Sequence, residues 1–80
     1  MTRIIGKEVR VDERDGNPVA FTFRERYDIA EVLECWQEAG EWWQGQQTRE
    51  IFRVMTSLGG VFELERSVGS DDWRLYKVWD

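Results

Sequence analysis

No histidine occurs in the 80 residues. That absence removes the commonest general base and the commonest metal-binding side chain together. A single cysteine, Cys35, excludes an internal disulfide and cannot build a zinc site of the ordinary Cys/His kind. It is also what a reducing compartment permits, so the cytoplasm is the expected address. With one proline and no repeat or low-complexity tract, the chain reads as one domain without a linker. No stretch approaches the ~20 apolar residues that a spanning helix needs, and Met1 to Lys7 holds no apolar run of signal-peptide length. No membrane partner is expected.

Catalytic groupings are equally scarce. Cys35, Ser57, Ser67 and Ser70 are the candidate nucleophiles, and none has a histidine to activate it. Cys35 lies in an apolar stretch beside Trp36, which predicts a buried, inert thiol. Carboxylates cluster at Asp12, Glu13 and Asp15 and at Asp71-Asp72. Pairs of this kind can hold a divalent cation or do acid–base work, but in turns Asp is favoured because its side chain satisfies the backbone. Leu58-Gly59-Gly60 lacks the lysine and the strand-to-helix setting of a phosphate loop. The sequence therefore predicts no enzyme, no metal and no cofactor.

Aromatic residues are abundant: five Trp, four Phe and two Tyr. A chain this short has a thin core, and side chains that each bury about 150–250 Å² compensate for it. Net charge is −5 and unevenly spread. Residues 1–11 carry +2 (three bases against Glu8), Asp12 to Gly45 carry −6 (nine acids against three arginines), and residues 46–80 carry −1 (six acids against five bases). An acidic middle argues against a generic phosphate-binding surface.

Short apolar segments separated by turn residues predict an all-β or β-rich fold: five to six antiparallel strands in a small curled sheet or partly open barrel. Ile5 to Val11 alternates with period two, and Asp15-Gly16-Asn17-Pro18 is a turn cluster. Val19 to Arg24 then presents Val19, Phe21 and Phe23 on one face. Ile51 to Met55 and Val61 to Glu65, joined by Ser57-Leu58-Gly59-Gly60, form a hairpin with Phe52 and Val54 facing inward beside Phe62 and Leu64. Trp73 to Trp79 is the last strand. Residues 29–39 are ambiguous. Ile29, Val32, Leu33 and Trp36 fit a helix, yet Tyr27, Ile29, Val32 and Trp36 are poor helix formers and Asp28 is a weak cap. A strand bulged near Val32-Leu33 restores alternation as Tyr27, Ile29, Leu33 and Cys35 and is favoured, a short helix near 29–39 being the alternative.

Trp42 and Trp43 stand next to each other, so in an extended segment they cannot both point inward. One of them would cover the sheet edge or stand at the surface, where it could anchor a partner protein or, with Arg49 or Arg53 nearby, stack a nucleobase; the plainer reading has both close the end of a barrel as a hydrophobic plug. Arg24 and Arg26 share a face if the segment is a strand and splay if it is a tight turn, a solvated salt-bridged surface being the plainer reading. These six residues are the candidate partner-binding set. A protein partner is the expectation, and nucleic acid is disfavoured by the acidic charge. A homodimer through the edge of Trp73–Trp79 is a third reading.

The spacing Pro18…Phe21…Phe23-Arg24…Tyr27…Val32-Leu33…Trp36…Trp42-Trp43…Phe52-Arg53-Val54…Val61-Phe62-Glu63-Leu64…Trp73…Leu75…Lys77-Val78-Trp79-Asp80 resembles a small uncharacterised bacterial domain family. Its members are short stand-alone chains associated with the non-catalytic Y-family polymerase homologue of the bacterial mutasome. The resemblance covers Pro18 to Asp80 and departs from the family at Glu25, where a glycine often stands between two basic residues. It implies an accessory interaction role near DNA repair or translesion synthesis and transfers no catalytic residue.

Overall fold

The computed structural model describes residues 2–39, 48–68 and 72–79. It contains six antiparallel strands in chain order: β1 (Thr2–Arg14), β2 (Asn17–Phe23), β3 (Glu25–Glu38), β4 (Arg49–Thr56), β5 (Val61–Ser67) and β6 (Trp73–Trp79). Each pairs with the next, and β6 pairs back onto β1, closing a barrel. Among the described residues there is no helix, so none is long and apolar enough to cross a membrane. Residues 29–38 are strand, as the poor helix propensities of that segment favoured.

The first hairpin turns on Asp15 and Gly16, with Arg14 opposite Asn17. Both turn residues have positive φ, 53° and 81°, the conformation whose twist matches two paired strands. The turn is thus shorter than the sequence cluster, and Asn17 and Pro18 belong to β2. Phe21 is buried and Phe23 packs on the core, but Val19 is exposed, contrary to the simple alternation, while Pro18 and Ala20 are buried. Pairing of β2 with β3 runs from Phe23–Glu25 to Ala20–Asp28 and then stops. Pro18, next on the far side of Val19, has no N–H to donate.

Beyond Asp28, β3 continues along β4. Its Ile29–Glu38 portion has that one strand neighbour among the described residues. Two bulges lie within it, between Ile29 and Glu31 and between Val32 and Glu34. The predicted bulge is present, and the additional one puts Val32, rather than Glu31, opposite Val54. Cys35 faces Phe52 across the ladder yet is exposed, because no strand covers this stretch from the other side among the described residues. The expectation of a buried thiol is corrected.

The core is Phe21, Phe52, Val54, Leu64, Trp73 and Leu75, with Ile5, Val9, Val11, Tyr27 and Phe62 against it. At one end Phe21, Tyr27 and Phe62 meet with ring centroids 5.0–5.1 Å apart. A Cβ on Gly60 would come to 3.0 Å from the Phe62 ring, so a side chain at this turn position would require that ring to shift by a few tenths of an ångström. At the other end Phe52 lies 5.4 Å from Trp73. Over this pair sits the Arg66 guanidinium, 4.6 Å from the Trp73 ring and bonded to Glu13 of β1 and Glu50 of β4. The predicted β4–β5 hairpin is present, and its register sets Phe52 opposite Leu64 and Val54 opposite Phe62.

β6 is not an edge. It is bonded to β5 on one side and β1 on the other, which corrects the reading of Trp73–Trp79 as a free edge for a second copy.

Candidate functional site

Strict alternation along β6 would put Trp73, Leu75, Lys77 and Trp79 on one face. Leu64 does pair with Leu75, but Glu63 pairs with Lys77, leaving Tyr76 as an extra residue. A slip of one residue exchanges the faces of everything beyond it. Trp73 and Leu75 therefore stay buried in the core, Val78 takes the inward position, and Trp79 emerges on the outside, 40% exposed.

The register builds two adjoining rows across the outer surface. One runs Glu34, Arg53, Glu63, Lys77 from β3 to β6, and the other runs Glu31, Met55, Val61, Trp79. At their meeting point lies Glu63, a carboxylate only 1% exposed. Its Oε2 accepts hydrogen bonds from Trp79 Nε1 at 2.6 Å and from Arg53 Nη2 and Nε at 3.3 and 3.4 Å. A buried charge needs this kind of compensation. Arg53 also bonds Glu34 at 3.2 Å, and its guanidinium lies 5.0 Å from the Trp79 ring and 5.4 Å from the Trp36 ring. Arg53, Val61 and Trp79 line an open, apolar hollow of about 220 Å³. A second hollow, lined by Glu8, Arg49, Glu65, Ser67, Asp72 and Arg74, is polar and of mixed sign.

The other candidate residues are dispersed. Arg26, opposite Thr22, reaches across β2 to Asp12 of β1 at 2.8 Å and also bonds Asp28 at 3.2 Å. These contacts, Asp12 first, raise its pKa above the ordinary arginine value. Arg49 is held by Glu38 and Glu65, both at 3.0 Å. Arg24, at the bend between Phe23 and Glu25, has φ +66° and stacks 5.5 Å from the Phe23 ring. Arg24 is thus the bend residue itself, while Arg26 stands within β3 opposite Thr22. Trp42 and Trp43 lie outside the described residues. Among the described residues no group of three acidic or thiol side chains is gathered to hold a metal ion.

Sequence reasoning singled out Arg53 but missed Glu63 and Trp79. A signal for Glu63 was present, since it alternates out of the predicted inward face of the same hairpin as Arg53, and the register sets the two opposite each other. Trp79 had none, because its placement depends on the extra residue at Tyr76.

Fold and surface together define a small closed antiparallel β-barrel with an outer ladder of tryptophan and paired arginine. The chain belongs to a family described as a domain of unknown function (DUF6504), whose model matches residues 1–80. No curated protein and no solved structure matches it.

Proposed function

We propose that this barrel is a non-enzymatic module that binds another protein, with an accessory role in DNA repair or translesion synthesis. One observation carries the choice of protein over nucleic acid. Arg26, Arg49 and Arg53, three of the four arginines that would line a phosphate-binding groove, are each already bonded to two carboxylates. Non-specific nucleic-acid affinity comes from cations that neutralise phosphates, and here a phosphate would have to displace a carboxylate within the same chain. A half-exposed tryptophan beside an apolar hollow is, by contrast, the composition of a protein-contact hot spot. The placement near translesion synthesis rests on the sequence resemblance, to which the family description adds no process.

The test is calorimetry of the purified chain against the non-catalytic Y-family polymerase homologue encoded in the same genome. Anisotropy of a labelled single-stranded oligonucleotide at two salt concentrations runs beside it. Saturable binding of the homologue with no oligonucleotide binding is expected. Oligonucleotide binding that quenches tryptophan emission and weakens steeply with salt would overturn the reading.

A further inference from the structure

We infer that the hollow formed by Arg53, Val61 and Trp79 receives a partner segment carrying one bulky aliphatic or aromatic anchor flanked by lysine or arginine. This rests on the reading of the barrel as a protein-binding module and specifies where and what it binds.

The anchor half follows from how Trp79 is held. Its indole N–H is fixed by Glu63 at 2.6 Å, and the Arg53 guanidinium lies 5.0 Å from its ring. Two independent contacts set the ring's orientation before anything binds, so little side-chain freedom is lost on association. Shielding Glu63 from water accounts for the inward N–H but not for the ring's exposure. Met55 stands opposite Val61 beside the hollow, and Leu58, 88% exposed, is at the tip of the same hairpin. The hollow is open rather than enclosed, unlike a small-molecule site, which buries most of its ligand.

The charge half follows from the β3 side of the same rows. Glu31 is exposed and has no ion pair among the described residues, and Glu34 is 59% exposed despite its bond to Arg53. Lys77 sits at the opposite, β6 side, over Tyr76. A basic flank would therefore lie toward β3, where it meets unbalanced acid. A second copy would instead bring a net charge of −5 against −5, so a basic partner is favoured over self-association.

The test uses two-dimensional NMR of the isotope-labelled full chain, with synthetic peptides as probes. The first has a leucine or phenylalanine flanked by lysines, the second has the flanks changed to glutamate, and the third has the anchor changed to alanine. Shifts at the Trp79 indole, Val61, Met55 and Leu58 with the first peptide, and at least tenfold weaker binding of the other two, are expected. Trp79→Ala should weaken binding on the order of 30-fold. Because that variant also uncovers Glu63 and can fail to fold, Leu58→Asp and Glu31→Lys carry the test independently. The first should cost about tenfold, and the second about fivefold at low salt with preference moving toward the glutamate-flanked peptide. Equal binding of both flanks, shifts confined to another face, or no binding overturns the inference. If the polymerase homologue binds and neither Leu58→Asp nor Glu31→Lys weakens it, this site is wrong while the protein-binding reading stands. If no protein binds, the reading itself falls.

Discussion

Removing Arg53 should be among the most damaging single changes to this barrel, and removing Glu63 as well should repair much of the damage. Glu63 is 1% exposed, so its charge depends on the Arg53 guanidinium at 3.3 Å and the Trp79 indole at 2.6 Å. Arg53→Met preserves much of the apolar stem but leaves the carboxylate with the indole alone. Breaking one side of a buried pair costs about 3–5 kcal/mol. Glu63→Gln keeps an oxygen for Trp79 and leaves Arg53 with the half-exposed Glu34, so the loss is about 1–2 kcal/mol. In the double variant no uncompensated buried charge remains. Its cost should be about 2 kcal/mol, well below the sum of the two singles. Urea unfolding, followed in parallel by tryptophan fluorescence and far-UV circular dichroism, measures this. A domain of this size has a slope of about 1 kcal/mol per molar urea, so Arg53→Met should lower the midpoint by about 3–5 M. With a total stability of about 5 kcal/mol at the start, a loss at the top of that range brings the single variant to its unfolding midpoint in buffer while the double variant stays folded. The reasoning is refuted if Arg53→Met costs less than about 1 kcal/mol, or if the double variant loses the sum of the singles.

Three further outcomes are expected. Arg24 holds φ +66°, which costs a side-chain-bearing residue roughly 1–2 kcal/mol. Arg24→Gly should therefore be more stable than Arg24→Ala by about 1 kcal/mol in thermal or urea unfolding, and the reverse order would contradict the strained bend. Burial first, and a hydrogen bond with Glu25 second, raise the Tyr27 phenol above its ordinary 10.0. The folded chain then keeps this proton where the unfolded chain releases it, so stability is intact below about pH 10 and declines as pH rises through the folded value. Tyr27→Phe should flatten that decline, and an ultraviolet titration should show a late phenol. Cys35 is exposed, but its thiol is raised by partial burial and then by Glu50, with Arg66 opposing. Its reaction with a disulfide reagent near neutral pH should be slower than that of a free thiol, slower again in Arg66→Met and faster in Glu50→Gln. Indifference to both substitutions would exclude these two charges as the controls.

Local pattern made part of this architecture readable. The β4–β5 hairpin and the bounds of β6 follow from alternation and a Gly-containing turn, both properties of adjacent residues. What escaped depends on counting across strands. The extra residue at Tyr76 and the bulges flanking Ala30 and Leu33 break period two without changing composition, so the faces of Trp79 and Val32 do not follow from alternation. The ion pairs were out of reach for a different reason. Arg66 meets Glu13, 53 residues away, and nothing at either position distinguishes that partnership from any other. Glu63 lay between: its partner Arg53 was legible from the hairpin, but its burial required the indole that the β6 slip brought over.

The bulged, acid-lined run of β3 from Ile29 to Glu38 bears on how this chain behaves when crowded. A long strand with one neighbour invites copies to join edge to edge and grow into fibres. Here each bulge breaks the even spacing of donors and acceptors that a templated partner needs. An antiparallel copy centred between Val32 and Leu33 would also set Glu31 against Glu34 twice over, and directly opposed like charges repel. The irregularity that defeats pattern-reading is thus a safeguard against polymerisation. Straightening it, by deleting Leu33 and neutralising Glu31, would be the shortest route to turning this barrel into an aggregating one.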